Sequence, residues 1–103
     1  MATPEGRVKT FTKAWLKKHN IPNWSIIPSG FGASTGMADL CCITKDGKWL
    51  CLELKAPNKK SNVTANQQKF LDTINASNGR AFVVSCQDDL DEMEMILKHH
   101  ELI

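Results

Sequence analysis

The stretch ADLCCITKDGKWLCLELKAP, residues 38 to 57, decides the fold. Two apolar runs flank Lys45, Asp46 and Gly47, a composition that closes a β-hairpin. Loop length then matters, because a slip of one residue moves every side chain of a strand to the opposite face. A two-residue turn of Asp46 and Gly47 alone would set Asp39 opposite Leu54 and point it away from Glu53. A three-residue loop, a type I turn closed by Gly47 in the left-handed region, pairs Thr44 with Lys48 and Asp39 with Glu53. One face then reads Ile43/Trp49, Cys41/Cys51, Asp39/Glu53 and Lys55, and the other reads Cys42/Leu50, Leu40/Leu52 and Leu54. This second register separates the leucines from the charges and is the one expected.

Upstream of the hairpin, TPEGRVKTFTKAWLKKHN predicts a helix over about residues 4–19. Thr3 can cap it, Pro4 suits its first turn, and Val8, Phe11 and Trp15 recur at helical spacing. Glu5 lies three residues before Val8, which turns it toward the packed face, although an acidic residue there also complements the helix N-terminus. IPNWSIIPSGFGASTGM, residues 21–37, is rich in proline, glycine, serine and threonine and is expected as a loop. Its glycines are spaced GxGxxxG outside any strand-turn-helix context, and no P-loop is present, so no nucleotide cofactor is expected.

Downstream, APNKKSN is a lysine-bearing loop. Thr64 and Gln67 form a T-x-x-Q capping box that opens a helix over 64–78, ended by Asn78 and Gly79. Phe70, Leu71 and Ile74 are its buried stripe, with Gln67 at the head. RAFVVSC, 80–86, reads as a strand buried on both faces, and DDLDEMEMILKHH as a final amphipathic helix. A helix between the second and third strands implies a crossover that lays the third parallel to one of the first two. The expected fold is a small α/β domain, a mixed β-sheet flanked by helices in the order αββαβα.

A chain of 103 residues, 42% hydrophobic and 23% charged, fits one domain over residues 1–103. No apolar run approaches the ~18 residues of a membrane span, so no membrane partner is expected. The start MATPEGRVKT has no secretory pattern, which makes the cytoplasm of a bacterial or phage-infected cell the expected compartment. Cys41, Cys42, Cys51 and Cys86 have no zinc-site spacing and read as core thiols. Residues 1–60 carry ten Lys/Arg against four Asp/Glu, whereas residues 61–103 carry three against seven. The basic half permits a phosphate-backbone partner, though solvated lysines on a helix explain the same run.

Glu53 and Lys55, two apart on a strand, emerge on one face about 7 Å apart, and Asp39 joins them across the strand pair. Two carboxylates that converge without an arginine repel each other unless a cation lies between them, and oxygen donors of this kind suit Mg²⁺ or Mn²⁺. Mg²⁺ held this way completes its shell with water and phosphate oxygens, which points toward phosphate chemistry, with Lys55 placed to orient a water or accept its proton. Taken alone, E-x-K on a half-exposed strand is more often structural.

The set as a whole resembles the PD-(D/E)XK nuclease superfamily: Glu5 in the first helix, GMAD ending at Asp39, LELK with Glu53 and Lys55, and Gln67 in TANQQKFL. More narrowly, the chain is similar to a stand-alone virus-type replication-repair nuclease (VRR-NUC) domain over about residues 5–86, the module also appended to the Fanconi-associated nuclease. Ala38 stands where the superfamily name has proline. The resemblance implies a restriction-endonuclease-like core with Asp39, Glu53 and the Leu54 backbone carbonyl as ligands of Mg²⁺ or Mn²⁺. It implies Lys55 as the residue that positions or deprotonates the attacking water, Glu5 as an outer acidic group and Gln67 as a supporting side chain. It further implies metal-dependent cleavage of branched or otherwise structured DNA. Lys9, Lys13, Lys59 and Lys60 would contact the DNA backbone, and a homodimer would offer two sites. A non-catalytic nucleic-acid-binding module on the same fold is the alternative.

Overall fold

The computed structural model describes residues 3–26 and 36–103. Strands β2, Leu40–Ile43, and β3, Trp49–Leu54, pair antiparallel with Leu40 opposite Leu52, Cys41 opposite Cys51, Cys42 opposite Leu50 and Ile43 opposite Trp49. This is the register of the three-residue loop. The Thr44 amide donates to the Lys48 carbonyl at 2.9 Å and the Gly47 amide to the Thr44 carbonyl at 3.0 Å. Gly47 has φ of 84°, a conformation open to glycine because it lacks Cβ. The buried Thr44 hydroxyl accepts from the Lys48 amide and donates to Asp46, which ties the turn to itself.

Strand β1, Asn23–Ser25, pairs antiparallel with β2 and places Trp24 opposite Cys41. It lies inside the stretch expected as a loop, so the strand expectation is corrected: the order is αβββαβα and the mixed sheet has four strands. Three residues beside a proline carry no strand signal of their own. They extend because β2 offers an open edge, where the Pro22 carbonyl accepts from Ile43 and the Ile26 amide donates to Asp39. Most of the remaining expected loop, with Gly30 and Gly32, lies outside the described residues.

The two hairpin faces feed two separate clusters. Helix α1, Pro4–Lys18, and helix α3, Gln87–His99, cover the leucine face. Val8, Trp15, Leu16, Leu90, Met93 and Leu97 pack there on Leu40, Leu50, Leu52 and Leu54. Each leucine removed from water contributes roughly 1.5–3 kcal/mol, which makes this side the main source of stability. Helix α2, Ala65–Ala76, covers part of the other face with Leu71, Phe70 and Ile74 against Cys51 and Ala81. All four cysteines are free thiols, with Cys42 and Cys51 buried.

Strand β4, Arg80–Val84, pairs parallel to β3, so the crossover expectation holds. It sends Val84 and Phe82 to the first cluster and Ala81 and Val83 to the second, as a strand between two layers should, but from the sheet edge. It also ends at Val84 rather than residue 86. Asp89 accepts from both the amide and the hydroxyl of Ser85, at 2.8 and 2.9 Å, and this turns the chain into α3.

Candidate active site

The site begins where the β2–β3 ladder ends. Extending the register one step past Leu40 and Leu52 sets Asp39 opposite Glu53. One step further, the Leu54 amide faces β2 beyond its first residue, and it donates to Asp39 Oδ2 at 2.8 Å. The Asp39 side chain therefore replaces a backbone carbonyl at the end of the ladder. That bond fixes the carboxylate against β3, a role with no sequence signal because it depends on where β2 stops.

Glu53 is 3% exposed. Its Oε1 accepts from Gln67 Nε2 at 3.0 Å and lies 3.6 Å from Lys55 Nζ, while its buried Oε2 has no partner. Burial, then the charge of the neighbouring Asp39, push the Glu53 carboxyl up to about 7, and Lys55 only partly offsets them. Gln67 serves two purposes at once. Its Oε1 accepts from the Thr64 amide at 2.9 Å to complete the capping box with Thr64 Oγ1, and its Nε2 remains for Glu53. The box and the site thus use opposite ends of one amide.

Glu5 is exposed in the first turn of α1, so the expectation that it turns to the packed face is corrected. So near the helix start, solvent and the N-terminal dipole hold it rather than the core. It lines a cleft of about 270 Å³ with Asp39, Leu54, Ser25, Ile26 and Lys9. It also lines a second, of about 460 Å³, with Lys55, Asn58 and Lys59. Lys13 is exposed farther along α1. Lys60 is engaged elsewhere: its Nζ meets Asp89 Oδ1 at 2.6 Å. Burial alone would raise the Asp89 carboxyl, but Lys60 and the two Ser85 bonds hold it down at about 2.

Asp39 and Glu53 are two acidic side chains set opposite each other at the end of the strand pair, one buried with an orphaned oxygen, and this donor set fits a hard divalent cation. Among the described residues, no third His, Cys, Asp or Glu converges with them. Two carboxylates plus the Leu54 carbonyl and waters would make a shell suited to Mg²⁺ or Mn²⁺.

A family model of the VRR-NUC domain matches residues 7–88 of the chain. This chain belongs to the VRR-NUC family. The VRR-NUC domain lies within the PD-(D/E)XK superfamily, and membership implies a nuclease-type function with DNA as substrate. No curated protein and no solved structure matches the chain. The VRR-NUC match spans Asp39, Glu53, Lys55 and Gln67, whereas Glu5 falls two residues before it. Reading the sequence missed one residue that shapes this site. A Cβ on Gly36, which has φ of 92°, would come within 2.8 Å of the backbone and side chain of Asn66, the residue before Gln67. The signal was the glycine of GMAD itself, placed where the chain enters β2 beside the start of α2.

Proposed function

We propose that this protein is a metal-dependent endonuclease that hydrolyses phosphodiester bonds in branched or otherwise structured DNA. The observation that carries the reading is the buried Glu53 carboxylate, one oxygen bonded and the other orphaned, set against Asp39 and Lys55. Asp39, Glu53 and the Leu54 carbonyl would hold Mg²⁺ or Mn²⁺. Such a cation would supply a water acidified for attack and positive charge against the oxygens of the scissile phosphate. Lys55, 16% exposed at its side chain, orients the attacking water or takes its proton. Gln67 holds Glu53 Oε1 and leaves Oε2 without a partner, and Glu5 stands outside this group across the adjoining clefts. Lys9, Lys13 and Lys59 contact backbone phosphates, which makes binding steeply salt-dependent. Lys60 contributes there only by leaving Asp89. Two copies would present two sites to a junction, a mass that light scattering reads directly.

The test is cleavage of labelled duplex, flap and four-way-junction DNA with Mg²⁺, Mn²⁺ or EDTA, with Lys55→Ala beside the wild type. The expected result is cutting that needs the metal, disappears in the variant and is fastest on a branched substrate. Binding without cutting in either metal sinks the enzyme reading and leaves a nucleic-acid-binding module.

A further inference from the structure

The sheet face that bears Asp39, Glu53 and Lys55 is only partly covered by α2. Trp24 and Trp49, 54% and 51% exposed, are the most exposed apolar aromatic side chains among the described residues, and Ile43 on the same face is 37% exposed. The register places all three on the side of the carboxylates. Trp24 sits in the row of Cys41 and Cys51, one row from Asp39 and Glu53, and Ile43 and Trp49 form the row beyond. At the usual strand rise these rows lie about 7 and about 13 Å from the carboxylates, steps that suit successive nucleotides of an extended strand. Trp49 also walls a cleft of about 340 Å³, enough for a nucleobase, with Lys48, Ile74, Ser77 and Asn78.

The geometry points to a stacking platform: unpaired bases of a DNA strand whose backbone passes the carboxylate pair stack on Trp24 and then on Trp49. This rests on the nuclease reading above and names the part of the substrate that the site prefers, a single-stranded segment beside the scissile phosphate. An indole face stacks on any base, so the platform selects for unpaired bases rather than for sequence. Lys48 supplies positive charge at the far end, because its ion pair with Asp46, 3.6 Å apart and exposed on both sides, is weakly held. Ser77 and Asn78 offer hydrogen bonds to a base edge in the cleft. A second copy of the chain is the weaker occupant. Two half-exposed indoles and an isoleucine present roughly 300 Å², well short of the ~800 Å² that each partner of a stable dimer covers.

The experiment titrates wild type, Trp24→Ala, Trp49→Ala and the corresponding Phe variants with oligothymidylate in EDTA, reading tryptophan emission and affinity. A fully paired duplex is the control. Trp15, 6% exposed and bonded to Glu94, supplies a constant background. Expected are quenching in the wild type, a loss of single-strand affinity of at least about five-fold in each Ala variant, and retention in the Phe variants, with duplex binding little changed. Unchanged single-strand affinity in both Ala variants overturns the platform. So does a variant that alters sedimentation while leaving DNA affinity intact, which would assign the patch to self-association. Cleavage of paired duplex by the same variants separates the two readings. If stacking holds but no metal supports cutting, the platform stands and the nuclease reading falls.

Discussion

Glu53 is the residue on which the site depends. Its proton is held more tightly in the folded chain than in the unfolded one, since burial and Asp39 raise it from 4.5 to about 7. Without a cation, the stability this contributes is complete below about pH 4.5 and is lost as pH rises through about 7. Glu53→Gln removes the ionisation while keeping an acceptor for Gln67. The variant is expected to lose cleavage, to stay folded, and in EDTA to melt higher than wild type at pH 8 but not at pH 5. Melting curves at the two pH values with circular dichroism check this, and equal pH dependence in both proteins would contradict it. Mg²⁺ at pH 8 should raise the melting temperature of the wild type only, because a ligand bound to the native state stabilises it by mass action.

Among the elements, the hairpin and the start of α2 do most to place the site. Inserting one residue between Lys45 and Asp46, with the three-residue loop still closed by Gly47, pairs Lys45 with Lys48 and would set Asp39 opposite Leu54, burying charge or exposing leucines. Loss of folding or of activity is expected, and a fully active insertion variant would show that the loop does not set the register. Thr64→Ala removes the hydroxyl that receives the Gln67 amide and should cost about 1 kcal/mol by denaturant titration. It should also lower the cleavage rate without raising KM, since Gln67 loses part of what aims it at Glu53. Gly36→Ala strains the backbone and drives a Cβ into Asn66, and is expected to weaken both stability and cleavage more than Thr64→Ala does.

For the molecule as a whole, stability and chemistry occupy opposite faces of one sheet. Leu52 is fully buried on the leucine face, one residue from Glu53, and Leu52→Ala should cost about 2–5 kcal/mol in chemical denaturation while leaving the site's bonds in place. A loss of activity at temperatures where the variant is fully folded would mean that the two faces are coupled. Much of this division was legible in the sequence. Period-two alternation with a three-residue loop gave the register, helical spacing and capping boxes gave α1 and α2, and together they put Asp39, Glu53 and Lys55 on one side, because local geometry dictates all of these. Strand β1 was not legible, since three residues beside a proline extend only when another strand's open edge pairs with them. Nor was the outward turn of Glu5, the capture of Lys60 by Asp89, or the bond from the Leu54 amide to Asp39. Each depends on where one element stops against another that is distant in sequence. The sequence by itself determined which residues share a face, because strand and helix periods are properties of the local backbone. Only the tertiary structure decided which of those residues are buried, paired or left with an unsatisfied oxygen, because burial and partnership belong to the packed chain.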